Sequence, residues 1–243
     1  MEPTLSVVLQ GYRRPILTRI ILERLIEKLS GYDYELFIVT DSLNPEYVTL
    51  LNDIAPEAYM LSSIHHLTRK RRGQLLNRAY QMLTGDYLMY VENDWYYVKD
   101  CIELGMKALN DGLDFIRFAQ TPFNPGIDRG DYYEHHTTTG FQWNWNPGLA
   151  KDPFPAGTFP ENVERIEGHY SDMFVEAGKR GGMLKDDYFT HIGVINARGS
   201  YIKPHERFFK GYSNALTFFK SLNPSNKHIE LYEQYLKTEK RRR

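Results

Sequence analysis

The sequence is short of several things. It has one cysteine, Cys101, in 243 residues. That excludes an internal disulfide framework and any cysteine-rich zinc site, and it fits a reducing compartment. It has almost no net charge: 30 Lys and Arg oppose 31 Asp and Glu, leaving -1. A wholly basic nucleic-acid binder is thereby excluded, though a local basic patch is not. No apolar run approaches the roughly 18–20 residues that span a bilayer. The opening Met-Glu-Pro-Thr has no basic-then-apolar layout of a signal peptide. There is no internal repeat and no low-complexity linker. The expectation is a soluble, cytoplasmic protein, with peripheral membrane contact or expression from a phage in its host's cytoplasm as variants.

What is present is an ordinary globular composition, 42% hydrophobic and 25% charged, enough to bury a sizeable core. Leu5–Leu9 is a continuous apolar run, as in a strand buried on both faces. A turn, Gly11-Tyr12-Arg13-Arg14-Pro15, leads into apolar residues at helical spacing from Leu17 to Ile26, with Gly31 as a stop. Glu35–Thr40 reads as a second buried strand ending in Asp41. Tyr47 to Ile54 marks a second helix. The basic segment Arg69–Arg72 opens a third, carrying Leu75 to Leu83 and capped by Gly85. Tyr87–Val91 is a further strand, running into Glu92-Asn93-Asp94-Trp95.

Strands alternating with helices imply a parallel, Rossmann-like sheet. Ligands bind such sheets beyond the carboxyl ends of the strands. Gln10, Asp41, Glu92 and Asp94 end these strands and are expected to converge there. The second half reads differently. Asp100–Asn110 looks helical and Phe115–Gln120 strand-like. Residues 121–159 have no sustained period and are rich in Pro, Gly, Asn, His and aromatics, a length of irregular chain usually tied to function. Glu161–Arg180 reads as a helix ending at Gly181-Gly182, then a short strand at Met183-Leu184, and two helices follow from Ser213.

Two carboxylates one residue apart at a strand end suit Mg²⁺ or Mn²⁺, and such a cation neutralises a diphosphate. The plain alternative is a solvated turn with helix-capping acids. Arg69–Arg72 is either a solvated helix start or a phosphate contact. Cations oppose the dipole at a helix N-terminus, which favours the second. His135-His136 are adjacent, point apart in a strand, and make poor co-ligands for zinc. Trp143 and Trp145 share a strand face, for stacking on a sugar or base or for filling a core.

The segments "LSVVLQGYRRP", "ELFIVTDS" and "GQLLNRAYQMLTGDYLMYVENDW", in that order, resemble the nucleotide-sugar region of family 2-like glycosyltransferases with the GT-A fold. The resemblance covers residues 4–96. Glu92 stands where the family's motif has a first Asp, which shifts its role from metal towards ribose contact. The resemblance implies an α/β fold: a mixed, mainly parallel sheet flanked by helices. It implies a transferase domain over 1–211 (1–98 for the nucleotide-sugar, 99–211 for the acceptor) and a helical, basic extension over 212–243. It implies Mn²⁺ or Mg²⁺, a UDP-sugar donor and inversion. Gln10, Tyr12, Arg13 and Asp41 would border the base and ribose, Asn93 would sit in the donor motif, and Arg72 would reach the diphosphate. Asp94 would ligate the metal directly, and Glu92 would bind ribose, or the metal through water. "NWNPGLA" precedes the acceptor region, making Trp143 and Trp145 acceptor candidates. In "FTHIG", His191 would supply a third metal ligand. An inverting transfer needs a general base. The resemblance leaves Glu167, Glu164 and Asp172, with Glu167 preferred for its distance before Gly181-Gly182. The plain alternative for each is a surface charge or cap.

The acceptor is open: a glycan, a small molecule, or a modified base in phage DNA, for which the terminal Lys-Arg-Arg-Arg would supply phosphate contacts. Two other functions compete. A nucleotidyltransferase would use the same strand-end acids but wants a Gly-rich phosphate loop that residues 11–14 do not supply. A non-catalytic carbohydrate or nucleic-acid binding protein has no need of strand-end acids in this order.

Overall fold

The computed structural model describes residues 4–11, 14–40, 44–62, 72–118, 127–135, 148–151, 177–185, 189–192, 194–195, 199–200 and 212–241. The first half contains β1 (Leu5–Gly11), α1 (Pro15–Leu29), β2 (Tyr34–Thr40), α2 (Pro45–Ile54), β3 (Tyr59–Ser62), α3 (Arg72–Tyr80) and β4 (Tyr87–Glu92). Then come β5 (Trp95–Tyr97), α4 (Ile102–Asn110), β6 (Phe115–Arg117), β7 (Ile127–Asp128), β8 (Tyr132–His135), β9 (Gly148–Ala150), β10 (Gly181–Leu184), β11 (Phe189–His191), β12 (Val194–Ile195) and β13 (Gly199–Ser200). Two helices, α5 (Tyr212–Ser221) and α6 (Asn226–Arg241), complete six among the described residues.

Nine strands form one mixed sheet in the order β3-β2-β1-β4-β9-β6-β10-β8-β7. Its first four strands are parallel, and β9 enters antiparallel between β4 and β6. The apolar run of β1 is buried along its whole length because helices cover both faces. Leu9, Ile38 and Val91 face the core shared with α1, α2 and α4. Val8, Phe37 and Leu88 face Leu75, Leu76 and Ala79 of α3. The chain steps outward from β1 through β2 to β3 and then returns to the other side of β1 as β4. That reversal is the switch point at which such sheets open a ligand crevice.

Three local readings of the sequence are corrected. First, α3 ends at Tyr80, short of Leu83, and Gly85 does not cap it. A Cβ on Gly85 would lie 2.7 Å from the Ser6 amide nitrogen and the Thr4 carbonyl, so the glycine lets the loop pass against β1. Second, Gly181 and Gly182 are strand residues, preceded by a turn at 177–178, so they do not end a helix running to Arg180. A Cβ on Gly182 would lie 2.9 Å from the Tyr133 carbonyl of β8, which explains that glycine by sheet packing. The landmark that favoured Glu167 is therefore a strand. Third, the aperiodic stretch from 121 holds β7, β8 and β9, whose two to four residues are too short to show a period.

Candidate functional site

Gln10 and Glu92, the last polar residues of β1 and β4, are paired in register across the switch point. Residues in register share a sheet face. Gln10 is buried and Glu92 half-buried. The neighbouring pair, Gly11 and Thr40, closes β1 against β2 and delivers the chain towards Asp41.

After Glu92 the chain turns, and α1 anchors that turn. Pro15 sits in the first turn of α1, where its missing N–H costs nothing. The residue before a proline is pushed out of the helical region. Arg14 accordingly caps α1 with φ -134° and ψ 70° and makes no side-chain cap bond. Its guanidinium instead reaches Asp94, Nη1 donating to Oδ2 at 2.7 Å. One turn along α1, buried Thr18 donates to the Arg14 carbonyl at 3.0 Å. The same hydroxyl accepts from the buried Asn93 amide, Nδ2 to Oγ1, at 2.9 Å. Asn93 thus faces into the protein and braces the turn, while Asp94 is paired with Arg14 and keeps 13% of its side chain exposed.

A second strand pair lies beside the turn. β11 runs antiparallel to β5, with His191 in register with Trp95. The Ile192 N–H donates to the Asp94 carbonyl at 2.7 Å. The main chain of His191 is thereby brought alongside Asp94 although 97 residues separate them in sequence (191 − 94). Its side chain lies outside the described ones.

On the far side of β4, Tyr90 and Arg117 are both in register with Gly148 of β9. They therefore lie on the face that carries Glu92 and Gln10. Arg117 is 1% exposed. Burial pushes its pKa down to about 9, so it is still a cation at neutral pH.

Gln10, Glu92, Asn93 and Asp94 are thus gathered at one end of β1 and β4, with His191 alongside by its backbone. Arg72 opens α3, and its side chain lies outside the described ones. Tyr12, Arg13, Asp41, Trp143, Trp145, Glu164, Glu167 and Asp172 fall outside the described residues. Sequence reasoning passed over Arg14, Thr18 and Arg117. Arg14 had a legible signal: a cation forced by Pro15 onto a helix N-terminus, where the dipole repels it, needs an anion nearby. Arg117 was visible as a lone charge in the apolar run Phe-Ile-Arg-Phe.

Two carboxylates and an imidazole are the donor set of a Mg²⁺ or Mn²⁺ site. Among the described residues no three His, Cys, Asp or Glu side chains cluster closely enough to hold an ion. Glu92 and Asp94 are the two carboxylates at this end of the sheet.

The family model described as glycosyl transferase family 2 matches residues 6–159. No curated protein sequence matches the chain. Among solved structures, S. aureus TarS is similar with a TM-score of 0.60 and 13% identity, over 76% of this chain and 36% of that one. TarS 1–349 in complex with UDP-GlcNAc aligns at 0.55 and 12%, over 96% of this chain and 71% of that one. The Pyrobaculum calidifontis mannosyltransferase PcManGT, in complex with GDP-Man and Mn²⁺, aligns at 0.53 and 16%, over 77% and 59%. The chain therefore spans little more than a third of the TarS chain. At these identities the likeness concerns the fold, the mixed sheet of GT-A glycosyltransferases. With the family match extending over more than half its length, the chain belongs to glycosyl transferase family 2.

Proposed function

We propose that the protein transfers a sugar from a nucleotide-diphosphate sugar to an acceptor hydroxyl, dependent on a divalent cation and with inversion at the anomeric carbon. The observation that carries this reading is the gathering at the β1/β4 switch point: Gln10 opposite Glu92, then Asp94, with the strand of His191 bonded alongside. Asp94 and His191 would hold the cation, with Glu92 beside it or on the ribose. When bound, the cation supplies charge neutralisation to the departing diphosphate. Gln10, Tyr12, Arg13 and Asp41 orient the nucleoside, with Asn93 holding the turn from within. Arg72 and Arg14 add positive charge where the diphosphate develops its own negative charge. One carboxylate among Glu167, Glu164 and Asp172 takes the proton of the acceptor hydroxyl as its oxygen attacks. Trp143 and Trp145 offer flat apolar faces to a sugar acceptor. The donor follows the structural neighbours, which bind UDP-GlcNAc in one case and GDP-Man in another, with a UDP-sugar preferred. The acceptor is a glycan, with a small molecule or phage DNA as the other classes. Residues 1–211 form the transferase unit and 212–243 a helical extension. Among the described residues no helix is long and apolar enough to cross a membrane.

The test is a thermal-shift panel of UDP, GDP, CMP and dTDP, each with Mn²⁺ and with EDTA, on wild type and Asp94→Ala. Binding at a hundredfold excess over Kd stabilises by about 2.7 kcal/mol. One diphosphate is expected to raise the midpoint with Mn²⁺ only, and not in Asp94→Ala. No shift with any nucleotide would move the reading to a carbohydrate- or nucleic-acid-binding protein.

A further inference from the structure

The family match ends at residue 159, and the helices α5 and α6 lie beyond it. The second of them is nonetheless bonded to the residue that reaches the acidic turn. Tyr232 on α6, 1% exposed, donates its hydroxyl to the Ile192 carbonyl at 2.8 Å. Ile192 donates its own N–H to the Asp94 carbonyl at 2.7 Å. A single residue thus has one end on the acidic turn and the other on the C-terminal helix. The residue before it is His191.

β11 needs that support. Among the described residues it spans three, pairs with three of β5, and belongs to a two-stranded sheet separate from the main one. Isolated two-stranded pairs are marginal in water. A slip of one residue sends each side chain to the opposite face. Tyr232 itself is rigidly set: its ring lies 4.3 Å from that of Phe219 and 5.7 Å from that of Tyr235. Phe219 in turn meets Tyr96 of β5 edge-on at 5.2 Å. The start of α6 is pinned to α1 through Lys227 Nζ, 2.8 Å from Glu23 Oε2.

We propose that Tyr232 is a positioning residue of the active site: by holding Ile192 it fixes β11 in register, so that His191 reaches the cation beside Asp94. The inference rests on the reading of His191 as a cation ligand. It makes the C-terminal helices part of the donor site and not merely a scaffold. Partners that orient metal ligands typically contribute about 10–100-fold in metal affinity.

The test uses the full chain with UDP present and reads Mn²⁺ affinity by the resonance signal of free Mn²⁺. Amide hydrogen exchange of residues 189–192 is read without metal. Tyr232→Phe removes the hydroxyl and keeps the ring. It is expected to weaken Mn²⁺ binding about tenfold or more and to speed exchange at the Ile192 N–H. In a His191→Ala background the same change should weaken Mn²⁺ binding no further. Wild-type Mn²⁺ affinity in Tyr232→Phe, or equal weakening with and without the His191 side chain, overturns the inference. Should Tyr232→Phe fail to fold, Glu23→Gln loosens α6 from the α1 surface and is judged by the same readouts. A wild-type protein that binds no Mn²⁺ with UDP would overturn the donor-site reading itself.

Discussion

Arg14 shows how much one side chain can be asked to do. It caps a helix without a cap bond and holds Asp94 at 2.7 Å. A hydrogen bond to a charged group contributes about 1.5–3 kcal/mol, and 1.4 kcal/mol is tenfold in affinity. Arg14→Ala is therefore expected to weaken UDP binding in the presence of Mn²⁺ by about tenfold or more, measured by calorimetry. Arg14→Lys keeps the charge but not the planar fork, and should recover only part of the loss. Unchanged binding in Arg14→Ala would remove Arg14 from the site. Thr18 belongs to the same scale. Thr18→Val takes one hydrogen bond from the buried Asn93 amide, and losing it is expected to cost about 0.5–1.5 kcal/mol of stability by urea unfolding. Thr18→Ser should restore most of it.

The elements of the first half were legible because each is long enough to show its pattern. β1, β2 and β4 each carry a run of buried, mainly apolar residues because helices cover both faces, and α1 repeats its apolar residues over fifteen positions. The convergence of Gln10 and Glu92 followed from strand order alone, and the register pairs them directly. What escaped were elements whose identity is decided by tertiary contact. β9 is three residues long, and its Gly148 is there for space: a Cβ would lie 2.5 Å from the Ile116 carbonyl and 3.1 Å from the Phe115 ring. Gly148→Ala is expected to lose about 1–3 kcal/mol of stability through overpacking, read by urea denaturation. An unchanged midpoint would mean that β6 and β9 are loosely paired. β11 is likewise three residues, and its place beside Asp94 depends on β5 and on a tyrosine 40 residues further on, which no local signal announces.

Across the whole molecule, α6 docks on the first helix through groups that titrate. Burial holds His228 below its ordinary 6.5, against the pull of Glu23 at 3.3 Å. Burial pushes Glu23 up, but hydrogen bonds from Lys227 and Arg19 outweigh it and hold the carboxyl below 4.5. Glu134, bonded by Arg180 and Arg129 at the other end of the sheet, is also held low despite its burial. Each of these groups binds its proton less well when folded. Stability from His228 is therefore complete above pH 6.5 and is lost as pH falls through its lower folded value. Stability from Glu23 and Glu134 is complete above 4.5 and is lost further down. The urea midpoint should fall in two stages as pH is lowered, the first absent in His228→Gln. A midpoint that rises below pH 6.5 would contradict this account of the docking.

The central claim is that the β1/β4 edge binds a nucleotide diphosphate together with a cation held by Asp94. Calorimetric titration of UDP into the full chain, with Mn²⁺ and with EDTA, tests it most directly when repeated on Asp94→Ala. The account predicts measurable affinity with Mn²⁺, a loss of at least about tenfold with EDTA, and a similar loss in Asp94→Ala even with Mn²⁺ present. Equal affinity under all of these conditions would contradict it.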